Sequence, residues 1–286
     1  MTGSGASAGL GLISAASWGG SDFAGGLGAR RAPALLVAIS GHAVSFAILL
    51  ALCLGIGLAL PQWNFLAYAA IGGLEGALCL ALFYRALAMG GMGLTAALAG
   101  LLTAVIPVLY SAIRYGLPGP LTAVGLALGC VAIWFITHGS AAQGDELQKT
   151  VTPPAALWMG SLAGIGFGLQ LVFFKLAGGG NLLWVMTAAR AAGASGLGLV
   201  LLLIPRKTAS SGFWLIGILA GMLDTTGNLF YIRASQLGRL DAAAVVSSLY
   251  PAGTILLASL ILREHPTRRQ WAGMALALAS VGLLSR

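Results

Sequence analysis

Five titratable side chains, Asp22, His42, Glu75, Arg190 and Asp224, lie well inside long apolar stretches of the sequence. A charge near the centre of a bilayer costs about 2.5–3.5 kcal/mol on insertion scales, so each needs a partner, water or a bound solute. Three of the five are acids, and Arg190 alone cannot neutralise them. A water-filled cavity or protonated carboxyls are therefore expected. Asn228 and Tyr231 follow Asp224 at i+4 and i+7, and Ser235 continues the same helical face. Ser14, Trp18 and Asp22 form a similar face earlier in the chain. Lipid would not tolerate such polar stripes, so they must face protein or water. A Trp in mid-helix suits a cavity wall better than an interfacial belt.

These residue types are suited to binding a small zwitterion. Arg190 would attract a carboxylate, which a guanidinium can hold with two hydrogen bonds. Glu75 or Asp224 would meet an amino group. Trp18, Phe167 and Tyr250 would supply apolar walls, with Asp22, His42, Gln170, Asn228 and Tyr231 completing the cavity set. Structural readings compete with these. Arg190 could form a static ion pair with Asp224 or Glu75, His42 could bond a backbone carbonyl, and Trp18 could be ordinary packing. Pro107 and Pro251 each fall inside an apolar block. Proline frees the carbonyl four residues back and kinks a helix, and the residues there are Thr103 and Ser247. Their hydroxyls would bond carbonyls near the distorted turn. The kinks read either as static bends or as hinges of a gate.

Other chemistries find little support. Cys53, Cys79 and Cys130 lie singly in apolar blocks without metal-ligand spacing, so free thiols are expected and no metal. Gly5-Ala-Ser-Ala-Gly9 fits a hydrolase nucleophile pattern, but that pattern needs a preceding strand and only four residues come before it. Gly164-Ile-Gly-Phe-Gly168 lacks the strand and acidic residue of a dinucleotide site, and there is no Walker loop. No cofactor is expected. The net charge of +8 comes from basic residues at the ends of apolar blocks, an anchoring pattern and not a nucleic-acid one.

The elements that must position these residues are membrane helices. The chain is 58% hydrophobic and 8% charged, against about 25% charged in a soluble domain. Its 43 glycines suit close helix packing in lipid. Ten apolar blocks run at roughly 10–28, 33–58, 65–88, 92–113, 118–138, 155–176, 181–204, 213–236, 241–261 and 267–285. Each approaches the ~20 residues that span a bilayer. A signal peptide is not expected, because no basic residue precedes the first block. The longest polar stretch, 139–154 with Asp145, Glu146 and Lys149, reads as a linker between residues 1–138 and 155–286.

The two halves resemble each other at a nearly fixed offset. Gly11, Ala15 and Gly19 match Gly160, Gly164 and Gly168 at 149 residues, as Trp18 matches Phe167 and Glu75 matches Asp224. His42 matches Arg190, Arg85 matches Arg233 and Gly125 matches Gly273 at 148. Pro107 and Pro251 depart, at 144. Five helices per half is odd, so the second half enters from the opposite side. The expected fold is all-α and polytopic, with ten transmembrane helices as two inverted five-helix repeats.

The stretch Tyr231-Ile-Arg-Ala-Ser through Ala242-Ala-Ala, Leu249-Tyr-Pro251, Leu262-Arg-Glu264, Gln270 and Gly273 to Gly282 resembles the EamA repeat of the drug/metabolite transporter superfamily. Tyr84-Arg-Ala-Leu, Pro107, Gly125 and Gly129 look like a degenerate first copy, which has Tyr115-Gly-Leu where a Leu-x-Glu element would follow its proline. Length and helix number are similar to those of bacterial aromatic amino-acid exporters. The resemblance implies a multi-pass exporter in a bacterial inner membrane, with small zwitterions, L-amino acids first, as substrates. Drugs or nucleotide sugars are the rival cargo. An intramembrane enzyme, such as a lipid-modifying transferase, would need clustered nucleophiles or metal ligands, and a channel would not need the inverted repeat. The expected partners are the solute and the bilayer, with the chain a monomer. Basic residues number nine in the odd-numbered connections and five in the even-numbered ones and the C-terminus, which places both termini outside. The resemblance implies the reverse.

Overall fold

The computed structural model describes residues 3–89, 92–138, 153–203, 212–262 and 267–284. Most of the expected linker, with Asp145, Glu146 and Lys149, lies outside the described residues, as do Arg206, Lys207, Arg263, Glu264 and Arg286.

Eleven helices and no strand occur among the described residues: α1 (Gly3–Ala29), α2 (Ala34–Ile56), α3 (Trp63–Ala88), α4 (Met92–Tyr115), α5 (Pro120–His138), α6 (Pro154–Ala177), α7 (Leu182–Leu203), α8 (Phe213–Leu237), α9 (Leu240–Ser247), α10 (Tyr250–Leu262) and α11 (Arg268–Leu284). Seven segments are long and apolar enough to cross a membrane: α2, α3, α6, α7, α8, Leu98–Tyr115 of α4, and Leu240–Leu257 across α9 and α10. The surface matches that solvent. Ile113, Leu202 and Leu260 each keep over three quarters of their area exposed, far from the behaviour of a soluble surface. Trp63, Trp158, Trp214 and Trp271 stand exposed near the first turns of α3, α6, α8 and α11, the position of an interfacial aromatic anchor. The chain is a multi-pass membrane protein.

The ninth apolar block is not one helix. It breaks between α9 and α10, at Ser248 and Leu249. Pro251 explains the place of the break: it has no N–H for the Ser247 carbonyl, so the helical ladder cannot run on across it. Pro107 instead lies within a continuous α4. There the Thr103 hydroxyl donates to the Ala99 carbonyl at 2.7 Å and approaches the Gly164 carbonyl of α6 at 3.4 Å. Ser247 does not repeat this. Its hydroxyl is buried without a hydrogen bond, contrary to the sequence expectation. The break takes up the distortion, and Ser248 N–H bonds the Ala244 carbonyl.

Helix contacts come in related pairs. α1 packs on α8 as α6 packs on α3, and α2 packs on α8 as α3 packs on α7. Glycine makes the closest approaches. A Cβ on Gly41 of α2 would lie 2.6 Å from the Gly221 Cα of α8, and one on Gly73 of α3 would strike the Ala189 backbone of α7. Adding 148 to 41 and 73 gives 189 and 221, so one offset carries the first contact onto the second. Backbones that touch this closely gain dispersion contacts, the main attraction between helices in lipid. At one end of the molecule Ser4, Thr122, Gly238 and Leu284 surround a cavity of about 210 Å³, which brings the starts of α1 and α5 together with the ends of α8 and α11. The Gly-x-Ser-x-Gly match at residues 5–9 is part of α1, and the Ser7 hydroxyl is spent on the Ala234 carbonyl at 2.8 Å.

Candidate functional site

A cavity of about 30 Å³, room for one or two waters, lies among α1, α3, α4, α6, α8 and α10. It is lined by Trp18 and Asp22 of α1, Leu80 of α3, Thr103 of α4, Phe167, Gln170 and Leu171 of α6, Asp224 of α8 and Tyr250 of α10. Both halves contribute.

Small residues let the large ones in. The Trp18 indole lies against Gly227, where a Cβ would come within 2.5 Å of Cδ1. It stacks obliquely on Tyr231 at 5.9 Å and meets Tyr250 edge-on at 6.3 Å. Phe167 meets Phe83 edge-on at 5.6 Å. Gln170 occupies space that Gly76 leaves on α3. The Tyr250 hydroxyl is buried beside Thr103 but makes no hydrogen bond of acceptable geometry.

Arg190 stands behind this cavity, not in its wall. Its Nη2 lies 2.7 Å from Oδ2 of Asp224, and its Nη1 donates to His42 Nε2 at 3.0 Å. A guanidinium only donates, so Nε2 must be the unprotonated nitrogen. Nδ1 then carries the proton and donates to the Ala38 carbonyl at 3.1 Å. His42 is thus a neutral imidazole that fills the second face of the guanidinium. The Asp224 contact is short but poorly aligned, which leaves Nη2 and Nε without an aligned acceptor. His42 and Arg190, matched at an offset of 148 in the sequence, touch here.

Besides Arg190, four of the expected cavity residues lie elsewhere. His42 is held by Arg190. Tyr231 is fully buried behind Trp18, where its hydroxyl donates to the Leu171 carbonyl at 3.0 Å. Asn228 turns back on its own helix and donates to the Asp224 carbonyl at 2.8 Å. Glu75 lies on the flank of α3, its Oε1 accepting from Cys79 Sγ at 3.3 Å and its Oε2 buried without a partner. The carboxyl abuts Gly166 in a groove rimmed by the outward-facing Leu74, Leu78, Ile165 and Leu169. The reason is register. α3 and α8 align at 148, through Arg85 with Arg233 and Gly73 with Gly221, so the counterpart of Asp224 is Gly76. Glu75 is one residue away, a rotation of about 100°.

The sequence assigns Leu80, Leu171 and Tyr84 no part in the site, although Tyr84 belongs to the motif of the first copy. Leu80 and Leu171 line the cavity, and Tyr84, buried against Gly25, shares a 3.0 Å hydrogen bond with Ser21 beside Asp22. Gly76, Leu80 and Tyr84 fall at successive i+4 positions, a face that periodicity marks once one of its members is known.

Residues 154–286 match the profile of the EamA-like transporter family, which supports kinship with the drug/metabolite transporter superfamily. No curated protein matches the chain. A solved crystal structure is similar with a TM-score of 0.73 at 19% identity, covering 97% of this chain and 95% of that one. At that identity the likeness speaks for the fold alone.

Proposed function

We propose that the chain is a secondary transporter that exports small amine-bearing metabolites, L-amino acids foremost, across a bacterial inner membrane. In this reading ten spans form two inverted repeats, α1–α5 and α6–α11, with α9 and α10 as one broken span and residues 139–154 as the linker. The chain works as a monomer, with the solute and the bilayer as its partners. The halves rock about the central cavity, as in other inverted-repeat carriers.

The observation that carries the reading is the cavity lined from both halves by two carboxyls, an amide and three aromatic rings. Such a lining suits a small solute with an amino group and an apolar body. The recurrence of the Gly41–Gly221 contact as Gly73–Ala189 supports two equivalent halves. The family match at residues 154–286 supports transport. Arg190 is tied to Asp224 in this state, so a substrate carboxylate would reach it only by taking the place of Asp224. Pro107 and the break before Pro251 are the hinges, and Pro251 packs against Gly100 of α4. A nucleotide-sugar cargo has less support, since no cation lines the cavity to meet its phosphates.

Uptake of labelled amino acids into proteoliposomes, with and without a pH gradient, tests the proposal. Accumulation of at least one amino acid above empty vesicles is expected. No uptake above that background, with protein correctly inserted, would sink it.

A further inference from the structure

The core holds more acidic than basic side chains. Among the described residues Arg190 is the one guanidinium or ammonium that is buried, and Asp224 occupies it. His42 adds no charge, because its Nε2 accepts from Arg190. Asp22 is therefore left over. Its side chain is buried on α1, lines the cavity and faces Asp224 across it, where the two carboxyls repel.

The rest of the lining is also rich in acceptors. Thr103 spends its proton on the Ala99 carbonyl at 2.7 Å, so only lone pairs remain for the cavity. Gln170 lines the same space with its amide. The Tyr250 hydroxyl, on a residue only 3% exposed, also lines it beside Thr103 and has no well-aligned hydrogen bond. A buried unpaired hydroxyl costs about 1–3 kcal/mol, so a ligand that pairs it is favoured. The group that satisfies several acceptors and the unpaired Asp22 carboxyl at once is a donor-only cation. A primary ammonium has three donors and no acceptor. Its size is close to that of a water, which fits a space of about 30 Å³. Trp18, Leu80, Phe167 and Leu171 line the same space, and they would bound the attached carbon skeleton once the cavity widens to admit it.

We propose that Asp22 is the anchor for the ammonium group of the substrate, with Tyr250 and Thr103 as its neutral co-ligands, and that the substrate carboxylate is dispensable for binding in this state. The proposal rests on the transporter reading but narrows it to primary amines with an apolar body. It also shifts the charged contact away from Glu75 and Arg190, neither of which lines the cavity.

The test is binding to the purified protein in detergent, read by calorimetry, with 2-phenylethylamine, L-phenylalanine and 3-phenylpropionate as probes. The first two should bind and the third should not. Asp22→Asn should weaken 2-phenylethylamine at least tenfold. It should also leave the melting temperature unchanged or raised, because Asp22 has no ion pair to lose and repels Asp224. A merely structural Asp22 would show the opposite, a lower melting temperature with affinity intact. Tyr250→Phe is a second variant that breaks no hydrogen bond, and it should weaken the amine several-fold. Equal binding of 3-phenylpropionate, or wild-type affinity in both variants, overturns the assignment. So does displacement of the amine by sodium chloride but not by choline chloride, which would make this an inorganic cation site. Binding needs no flux, so amine binding without transport would sink the transporter reading and leave the ammonium site standing.

Discussion

Removing Arg190 should be among the most damaging single changes to stability, and removing Asp224 with it should undo part of the harm. Arg190 is 3% exposed and Asp224 13%, with 2.7 Å between Nη2 and Oδ2. Arg190→Met leaves Asp224 as an uncompensated carboxylate facing Asp22. Breaking one partner of a buried pair costs about 3–5 kcal/mol, whereas replacing both by apolar groups of similar size is often neutral. At about 2 °C per kcal/mol for a chain of this size, the single variant should melt roughly 6–10 °C lower. Asp224→Leu should fall by a similar amount, since it strands the guanidinium against a neutral His42. Arg190→Met with Asp224→Leu should then be more stable than the sum of the singles by at least ~2 kcal/mol, well beyond the ~0.5 kcal/mol scatter of independent sites. The assay is thermal unfolding in detergent followed by size-exclusion fluorescence, as a double-mutant cycle. Additive losses would refute the reasoning, because the two side chains would then not be holding each other.

Other predictions follow from the packing and the chain path. Gly41→Leu and Gly73→Leu should each lower the yield of folded protein sharply, because the added carbon meets backbone and not a movable side chain; wild-type yield of monodisperse protein from either variant would count against the close contacts. Single cysteines near Gly5 and Pro153 should react with an impermeant thiol probe from opposite sides of the membrane, and labelling of both from one side would break the inverted-repeat proposal. Pro107→Ala and Pro251→Ala should slow turnover more than they weaken binding, because each restores a backbone donor at a proposed hinge; unchanged turnover in both would leave static kinks.

Much of the helical layout was legible because hydropathy in lipid is a blunt and strong signal. The block at 65–88 became α3, and that at 213–236 became α8. α1 began earlier than its block, since the Gly- and Ser-rich residues 3–9 carry little hydropathy yet still form helix. The split of the ninth block was written in Pro251, but which proline bends a helix and which ends it depends on neighbours that sequence does not reveal. The same limit governed the site. Asp22, Trp18, Phe167, Gln170, Asp224 and Tyr250 were picked out by type and spacing, and they meet at one cavity. Glu75 was picked out by the same reasoning and lies outside it. An offset of 149 and one of 148 look equally good in a list of matches, yet on a helix they differ by about 100°. Arg190 showed the complementary difficulty: its position in the chain marked it as a charge in need of a partner without saying whether Asp224 or Glu75 would take it.

The central claim is that a solute moves through alternating exposure of the cavity between Asp22 and Tyr250, and counterflow tests it most directly. Proteoliposomes loaded with millimolar unlabelled L-phenylalanine and diluted into trace labelled L-phenylalanine should accumulate label transiently above equilibrium, because a carrier that returns loaded exchanges faster than one that returns empty. The same vesicles containing Asp22→Asn should lose that overshoot. Entry of label that rises only to equilibrium, whatever the internal load, would point to a channel and contradict the account; no entry above empty vesicles would contradict it more simply.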